Sequence, residues 1–255
     1  MLFGLRCQVL WRFAIAGGSP AADDRGLFWL LVLGVRPRAG AVYESFAQGQ
    51  NSEIVTVLRS HGAVPVWLWG AHGSGKTHLL QAACSAAGDA AAYFPLNRSA
   101  ALPPEALAGY ERSPLLCIDD VDQIAGDQAW ERALFHLFNE AAELRSRLIF
   151  AAAVAPRQAA WVLHDWRSRA AACVVYQLHE LDDAGRIEAL RLRAAQRGLQ
   201  LPDETSEYLL KRMPRDLPSL FNLLDALDEA SMVEQRRLTI PFIRDELEKH
   251  ANTKS

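Results

Sequence analysis

The eight residues from Gly70 to Thr77 combine glycines, a lysine and a threonine in an order that suits phosphate binding. They read Gly-Ala-His-Gly-Ser-Gly-Lys-Thr, which is the spacing of a phosphate loop. Glycines let the backbone curl so that successive N–H groups point inward at phosphate oxygens. An apolar run, Val64 to Trp69, precedes the loop, and a helix-like stretch, Thr77 to Ala87, follows it. Motif and context together predict a nucleotide site rather than an ordinary glycine turn.

The side chains of this loop have separate expected roles. Lys76 supplies a positive charge for the outer phosphates, and the Thr77 hydroxyl is placed to ligate Mg²⁺. The N-terminus of the following helix adds a favourable dipole for the phosphates. We therefore expect ADP or ATP, with Mg²⁺, to be held by Gly70, Gly73, Ser74, Gly75, Lys76, Thr77 and His78.

A second chemical feature is a pair of carboxylates, Asp119 and Asp120, that directly follows the apolar run Leu115 to Ile118. In phosphate-loop proteins such a strand end faces the metal, which makes Asp119 a candidate ligand of Mg²⁺, partly through water. Asp120 is a candidate catalytic residue, at the place where many ATPases carry a glutamate that orients the attacking water. Its shorter side chain leaves the catalytic power open, and two solvated acids at a strand end are the alternative.

The elements that must position these residues alternate between apolar runs and helix-like stretches. Five apolar runs predict strands, at residues 64–69, 91–96, 115–118, 147–154 and 173–178. Helices are expected between them, at residues 45–61, 77–87, 104–110 and 128–144. Apolar strands separated by helices imply a parallel sheet that is covered on both faces and binds ligands at the carboxyl ends of its strands.

From Asp182 onward the pattern contains helices only. They are expected at residues 182–197, 203–212, 217–234 and 240–250, and acidic residues favour the first two helix starts. The predicted fold class is α/β, with a five-stranded parallel sheet sandwiched by helices and followed by a small all-helical lid domain.

Charge and composition restrict the class of partner and compartment. Residues 1–40 hold five Arg and two Asp, and the remaining residues carry a net charge of −6, so a direct grip on DNA phosphates is disfavoured. No apolar run reaches the length of a membrane span. The four cysteines are far apart in sequence and signal neither a disulfide framework nor a zinc site, so we expect a cytoplasmic protein with reduced thiols.

Five segments carry a resemblance to a known family. They are Trp67 to Leu80, Ile118 to Asp122, Leu134 to Asn139, Trp166 to Arg169 and Leu238 to Phe242. Through them the chain resembles the AAA+ ATPases, and within these the branch of the replication initiator DnaA and its regulatory inactivator Hda. The resemblance implies a negative regulator of replication initiation that binds ADP or ATP, docks on the DNA polymerase III sliding clamp and stimulates hydrolysis of the ATP bound to DnaA.

The resemblance also implies roles for individual residues. Arg169 corresponds to the arginine finger that reaches a neighbouring subunit's ATP, with Arg167 as second choice, although from sequence alone both would lie in a solvated turn. Phe46 lies where the family packs adenine. Leu31 and Leu33 align with the clamp-binding peptide, although Leu30 stands in place of its glutamine, and an ordinary edge strand is the alternative.

Two departures from the family pattern predict weak or absent intrinsic ATPase activity. The segment Phe150 to Pro156 has no polar side chain where a sensor residue is usual, and Pro218 stands near the second sensor position, with Arg215 displaced from it. A self-hydrolysing ATPase of the helicase-loader type is the alternative function. A nucleotide-stabilised scaffold without catalytic influence is the third.

The expected domain organisation follows from these assignments. We expect a flexible extension at residues 1–26, a clamp-binding segment at 27–40, the AAA+ nucleotide-binding domain at 41–181, the lid at 182–250 and a tail at 251–255. Because the chain stops at Ser255, where the initiator would continue into a helix-turn-helix domain, we expect no sequence-specific DNA binding. Self-association into a homo-oligomer is left open.

Overall fold

The computed structural model of the protein describes residues 40–60, 62–97, 102–234 and 238–253. The expected extension at 1–26 and the candidate clamp-binding residues Leu31 and Leu33 lie outside the described residues. In the described part of the chain, no helix is long and apolar enough to cross a membrane.

Five parallel strands form one sheet in the order β2-β3-β4-β1-β5. Their bounds are β1 Val66–Trp69, β2 Ala91–Pro95, β3 Leu115–Asp119, β4 Arg147–Ala152 and β5 Val174–Gln177. Strands β1 to β4 are almost entirely buried, as expected for strands covered on both faces. The expected α/β class with a five-stranded parallel sheet is confirmed.

Eight α-helices lie in the described residues. They are α1 Ser52–Arg59, α2 Lys76–Ala87, α3 Gln128–Glu143, α4 His164–Ala171, α5 Asp183–Gln196, α6 Asp203–Arg212, α7 Leu217–Glu234 and α8 Ile240–Thr253. The last four are the lid helices expected from the sequence. Asp182 caps the first of them, since its carboxylate accepts the N–H of Gly185 at 2.8 Å.

Two local expectations were wrong. The stretch before β3 contains two short 3-10 turns, Pro104–Leu107 and Tyr110–Arg112, instead of one helix, because Gly109 adopts a φ of 94° between them. Arg167 and Arg169 lie in helix α4 and not in a turn.

The described chain divides into two compact units, each with its own apolar core. The first contains the sheet with residues 62–69, 80–97 and 102–177, and the second contains residues 40–60, 70–79, 178–234 and 238–253. Trp67, Phe150 and Trp166 are fully buried in the core of the first unit. Leu209, Leu224 and Phe242 are among the fully buried residues of the lid core in the second unit. The phosphate loop therefore groups with the lid by its contacts, although it follows β1 in the chain.

Candidate nucleotide-binding site and an exposed arginine

The phosphate loop needs glycine at two positions for backbone and for steric reasons. Gly73 and Gly75 have φ values of 79° and 99°, a region that favours glycine. A Cβ atom on Gly75 would lie 2.6 Å from Cε2 of Phe46, and one on Gly73 would lie 2.8 Å from Cδ of Pro218. The loop is therefore closely packed inside the second unit, and the adenine candidate Phe46 lies directly against it.

Lys76 begins helix α2 at the centre of this loop and is only 8% exposed. Its Nζ donates hydrogen bonds to the carbonyl oxygens of Gly70 at 2.7 Å and Ala71 at 2.8 Å. Thr77, the next residue, is exposed, while Ser74 is buried. The loop thus directs its lysine inward, toward the backbone that the sequence assigns to phosphate binding.

A cavity of about 250 Å³ lies beside the loop, within the second unit. Three of the residues predicted from the sequence, Gly73, Ser74 and Arg215, line it together with Arg186 of the lid helix α5. Arg186 donates to Asp183 at 2.9 Å, and Arg215 lies 3.5 Å from the same carboxylate. Two guanidinium groups beside a phosphate loop suit an anionic ligand. The sequence singled out Arg215 but not Arg186, whose only signal was a charge pair at helical spacing.

The segment around Phe46 is fastened to the start of helix α2 by His78. Nε2 of His78 lies 3.0 Å from the Val42 carbonyl oxygen and 3.2 Å from Oγ of Ser45. Because a carbonyl only accepts, Nε2 carries the proton. Burial lowers the pKa of His78, and the positive charge of Arg193 lowers it further, against the opposing effect of the Val42 hydrogen bond. A neutral His78 therefore holds in place the segment that carries Phe46.

The carboxylate pair at the end of β3 has a built hydrogen-bond environment in the first unit. Asp119 is 1% exposed and accepts hydrogen bonds from the Tyr93 hydroxyl at 2.8 Å and from the N–H of Asp120 at 3.0 Å. Burial, and then the neighbouring Asp119 carboxylate, raise the pKa of Tyr93, so its hydroxyl stays protonated and can donate. These contacts fix the orientation of the candidate metal ligand.

Asp120 adopts an unusual backbone conformation for a residue other than glycine, with a φ of 56°. Its carboxylate accepts a hydrogen bond at 2.8 Å from the Asn97 side chain, which follows β2. Asn97 was not identified from the sequence. The Asn97 amide therefore orients the Asp120 carboxylate.

The end of β4, where the sequence offers no polar side chain, receives one from elsewhere. The Asp122 carboxylate accepts the N–H of Ala153 at 3.0 Å. The indole nitrogen of Trp67 donates to the Val154 carbonyl at 3.1 Å. The segment after β4 is thus fixed by side chains of the first unit, but neither contact supplies a donor of the sensor type.

Arg169 lies in the last turn of helix α4 and is exposed. Its guanidinium carbon lies 6.0 Å from the ring centre of Phe138, a cation–π contact of the charged group itself. Among the described residues Arg169 forms no ion pair. Arg167 is also exposed, but a separation of two residues turns it about 200° around the helix from Arg169. The two arginines therefore serve different faces and are not interchangeable.

The predicted site residues fall into groups. The loop residues Gly70 to Thr77, together with His78, Phe46 and Arg215, belong to the second unit, while Asp119, Asp120 and Arg169 belong to the first. Within the first unit, β4 separates β3, which ends at Asp119, from β1.

Comparison with known proteins agrees with this arrangement. The family model described as "Hda, lid domain" matches residues 182–247. Domain III of the Thermotoga maritima replication initiation protein DnaA superposes with a TM-score of 0.68 at 19% identity, covering 82% of this chain and 96% of that one. The initiator DnaA bound to AMPPCP and single-stranded DNA gives a TM-score of 0.62 at 22% identity, covering 79% and 70%.

The fold is shared beyond replication initiators. The Thermotoga maritima RuvB Holliday junction branch migration motor gives a TM-score of 0.57 at 15% identity, covering 77% of this chain and 67% of that one. At these identities the similarity establishes the fold and not the activity. The described chain therefore shares its fold with domain III of DnaA, and its residues 182–247 match the Hda lid family.

Proposed function

We propose that this protein regulates replication initiation by stimulating hydrolysis of the ATP that the initiator DnaA carries. In this proposal Arg169 enters the initiator's ATP site from the outside. A guanidinium near the transferring γ-phosphoryl group offsets the negative charge that develops in the transition state. The match of residues 182–247 to the Hda lid family supports DnaA as the partner.

The observation that carries the proposal is the setting of Arg169. The residue is exposed, forms no ion pair in the described part of the chain, and has its guanidinium group over the Phe138 ring. For a surface arginine that binds no partner, such a contact would add only about 0.5–1 kcal/mol of stability. An arginine that must reach a defined point on a partner gains directional precision from it.

The protein's own nucleotide has a separate role in the proposal. The positive-φ glycines Gly73 and Gly75, the inward Lys76 and the cavity that Arg186 and Arg215 line fit the phosphates of ADP or ATP. Thr77 and Asp119 are the proposed holders of Mg²⁺, which would neutralise phosphate charge in the bound state. His78 and Phe46 hold the segment expected against the base. This nucleotide stabilises the regulator, and turnover of it is not required.

We further propose that the protein docks on the DNA-bound sliding clamp through Leu31 and Leu33. Docking there would restrict its action to DNA that carries the clamp. Two leucines of an extended apolar peptide can fill a hydrophobic groove of such a partner. This part of the proposal rests on the resemblance in sequence. The test measures binding to immobilised clamp for the parent protein and for a double variant that carries Leu31→Ala and Leu33→Ala. Equal binding of the two proteins would refute this part of the proposal.

The function is tested by following conversion of ATP to ADP on ATP-loaded DnaA in the presence of clamp, DNA and this protein. Arg169→Ala is expected to slow the stimulated conversion about 10³-fold, the lower range for loss of an arginine finger. Arg167→Ala, two residues away on another helix face, is the matched control and should keep most of the stimulation. Unchanged conversion with Arg169→Ala while clamp binding persists would leave only a scaffold.

A self-hydrolysing ATPase is the second candidate, and the contact between Asn97 and Asp120 favours it. This contact orients a carboxylate at the end of β3, and the fold is also that of a branch migration motor. Phosphate release by the isolated protein separates the two functions. Appreciable turnover that disappears in Asp120→Asn, without any partner present, would favour this candidate over the first.

A further inference from the structure

A fully buried glutamate connects helix α3 to the start of helix α4. Glu131 is 0% exposed, and its carboxylate accepts hydrogen bonds from three backbone N–H groups. Oε2 accepts from Leu163 at 2.7 Å and from Val162 at 3.0 Å, and Oε1 accepts from Gly126 at 2.8 Å. Oε1 also lies 3.2 Å from the Val162 nitrogen.

This arrangement has a specific consequence for helix α4. Its N-cap residue is Leu163, whose side chain has no oxygen and makes no capping hydrogen bond. The Glu131 carboxylate satisfies the N–H groups of the cap and of the residue before it. A negative charge at a helix N-terminus also interacts favourably with the helix dipole. Helix α4 thus receives its cap from a residue more than thirty positions earlier in the chain.

Burying a carboxylate is unfavourable unless its oxygens are satisfied. Within the described residues Glu131 has no cationic partner, and its carboxylate oxygens accept their hydrogen bonds from backbone N–H groups. An apolar residue would fill the same space without this penalty but would leave two N–H groups at the start of α4 unsatisfied. Glu131 therefore holds the start of helix α4 in place and does not contribute buried apolar surface.

The same helix also holds the other end of α4. Phe138 lies seven residues after Glu131, on the same face of α3, and its ring centre is 6.4 Å from that of the buried Trp166. The Phe138 ring also lies under the Arg169 guanidinium. Helix α3 thus contacts α4 at its cap, in its middle and at the arginine, and these contacts set the position of Arg169 on the surface of the first unit.

We infer that Glu131 is a positioning residue for Arg169, capping helix α4 from helix α3 and so setting the aim of the guanidinium at the partner's triphosphate. This inference rests on the proposed function of Arg169. A purely structural role of Glu131 would lower overall stability without selectively affecting the stimulated hydrolysis.

The test compares Glu131→Gln with Glu143→Gln in the full chain. Both substitutions lie on α3 and make the same chemical change, but Glu143 is exposed. A glutamine at position 131 keeps one oxygen and turns an N–H donor toward N–H donors. Hydrogen exchange of the Val162 and Leu163 amides is expected to accelerate about tenfold or more, the effect of losing a charge-assisted hydrogen bond.

The second measurement is stimulated hydrolysis on ATP-loaded DnaA with clamp and DNA. Glu131→Gln should lower the maximal rate about tenfold or more, while half-saturation and the affinity for its own ADP stay at parent values. Glu143→Gln should match the parent in all readouts. Glu131→Asp keeps the charge and both oxygens, so it should lose less rate than Glu131→Gln, and it provides a second comparison if the glutamine variant does not fold.

The outcomes separate this inference from the proposed function. Unchanged exchange at Val162 and Leu163 in both Glu131 variants overturns the capping. Faster exchange with an unchanged maximal rate, while Arg169→Ala loses its activity, overturns the positioning role and leaves the proposed function intact. Unchanged hydrolysis with Arg169→Ala overturns both.

Discussion

The phosphate loop and helix α4 each carry a cationic side chain, and the two side chains differ in exposure and in hydrogen bonding. Lys76 is buried and bonded to carbonyl oxygens of its own loop, whereas Arg169 is exposed and has no ion pair in the described residues. A cation that faces its own loop suits a ligand bound by the same chain. A cation that faces outward on a supported helix suits a ligand held by another molecule. In the proposed function, Lys76 therefore serves the nucleotide bound by this chain, and Arg169 serves the nucleotide bound by the partner.

The largest expected effect comes from a substitution of the exposed cation, Arg169. Arg169→Lys keeps the positive charge but removes the planar fork that binds two phosphate oxygens. We expect stimulated hydrolysis of initiator-bound ATP to fall on the order of a hundredfold, a smaller loss than the one of about 10³-fold expected for Arg169→Ala. Single-turnover rates with saturating regulator measure it. Full activity of the lysine variant would mean that positive charge alone suffices and that the planar fork of the guanidinium is not needed.

The next largest effect comes from a substitution of the buried cation, Lys76. Lys76→Ala removes the ammonium group from the loop, and loss of charge-assisted hydrogen bonds should weaken ADP binding by roughly 10- to 100-fold. Calorimetric titration of the isolated protein measures the affinity. Arg169→Ala is the control and should bind ADP like the parent. Equal weakening in both variants would contradict the division between an inward and an outward cation.

The Gly75→Ala substitution tests whether Phe46 packs against the phosphate loop. The new Cβ would meet the Phe46 ring, and the φ of 99° is unfavourable for alanine. Gly198→Ala is a matched control because its φ is 72° but nothing lies within 4 Å of the added atom. We expect a loss of about 1–2 kcal/mol from backbone strain in the control and a larger loss at Gly75. Denaturant unfolding measures both, and equal losses would show that Phe46 does not pack against the loop.

The smallest effect concerns His78 and pH. Because the pKa of His78 is lowered from 6.5 in the folded state, the unfolded chain binds a proton first as pH falls. The free energy of unfolding should therefore decrease below about pH 6.5, by at most about 1.4 kcal/mol per pH unit from this group. Unfolding of the parent and of His78→Gln between pH 7.5 and 5.5 measures the difference. A steeper decrease in His78→Gln would contradict the assignment.

The sequence predicted those elements whose signals are local. The five apolar runs became the five strands, and the periodic lid segments became four helices with nearly the expected bounds. Helix α4 was not predicted, because among its eight residues only Trp166 and Ala170 are buried and its cap comes from Glu131 of another helix. A cap supplied over a long sequence separation leaves no pattern near the helix.

The candidate site divides in the same way. The loop from Gly70 to Thr77 and the pair after β3 are contiguous in sequence and could be recognised there. Tyr93 and Asn97 act on Asp119 and Asp120 only because β2 pairs with β3 in this register. Contacts that depend on strand pairing require the three-dimensional structure, and so do the neighbours of Arg169.

A cryo-electron microscopy structure of this protein with clamp, DNA and DnaA carrying a non-hydrolysable ATP analogue tests the central claim most directly. The account predicts that the Arg169 guanidinium lies within hydrogen-bond distance, about 3 Å, of the γ-phosphate held by DnaA. An assembly in which Arg169 points into solvent, far from the nucleotide of DnaA, would contradict it.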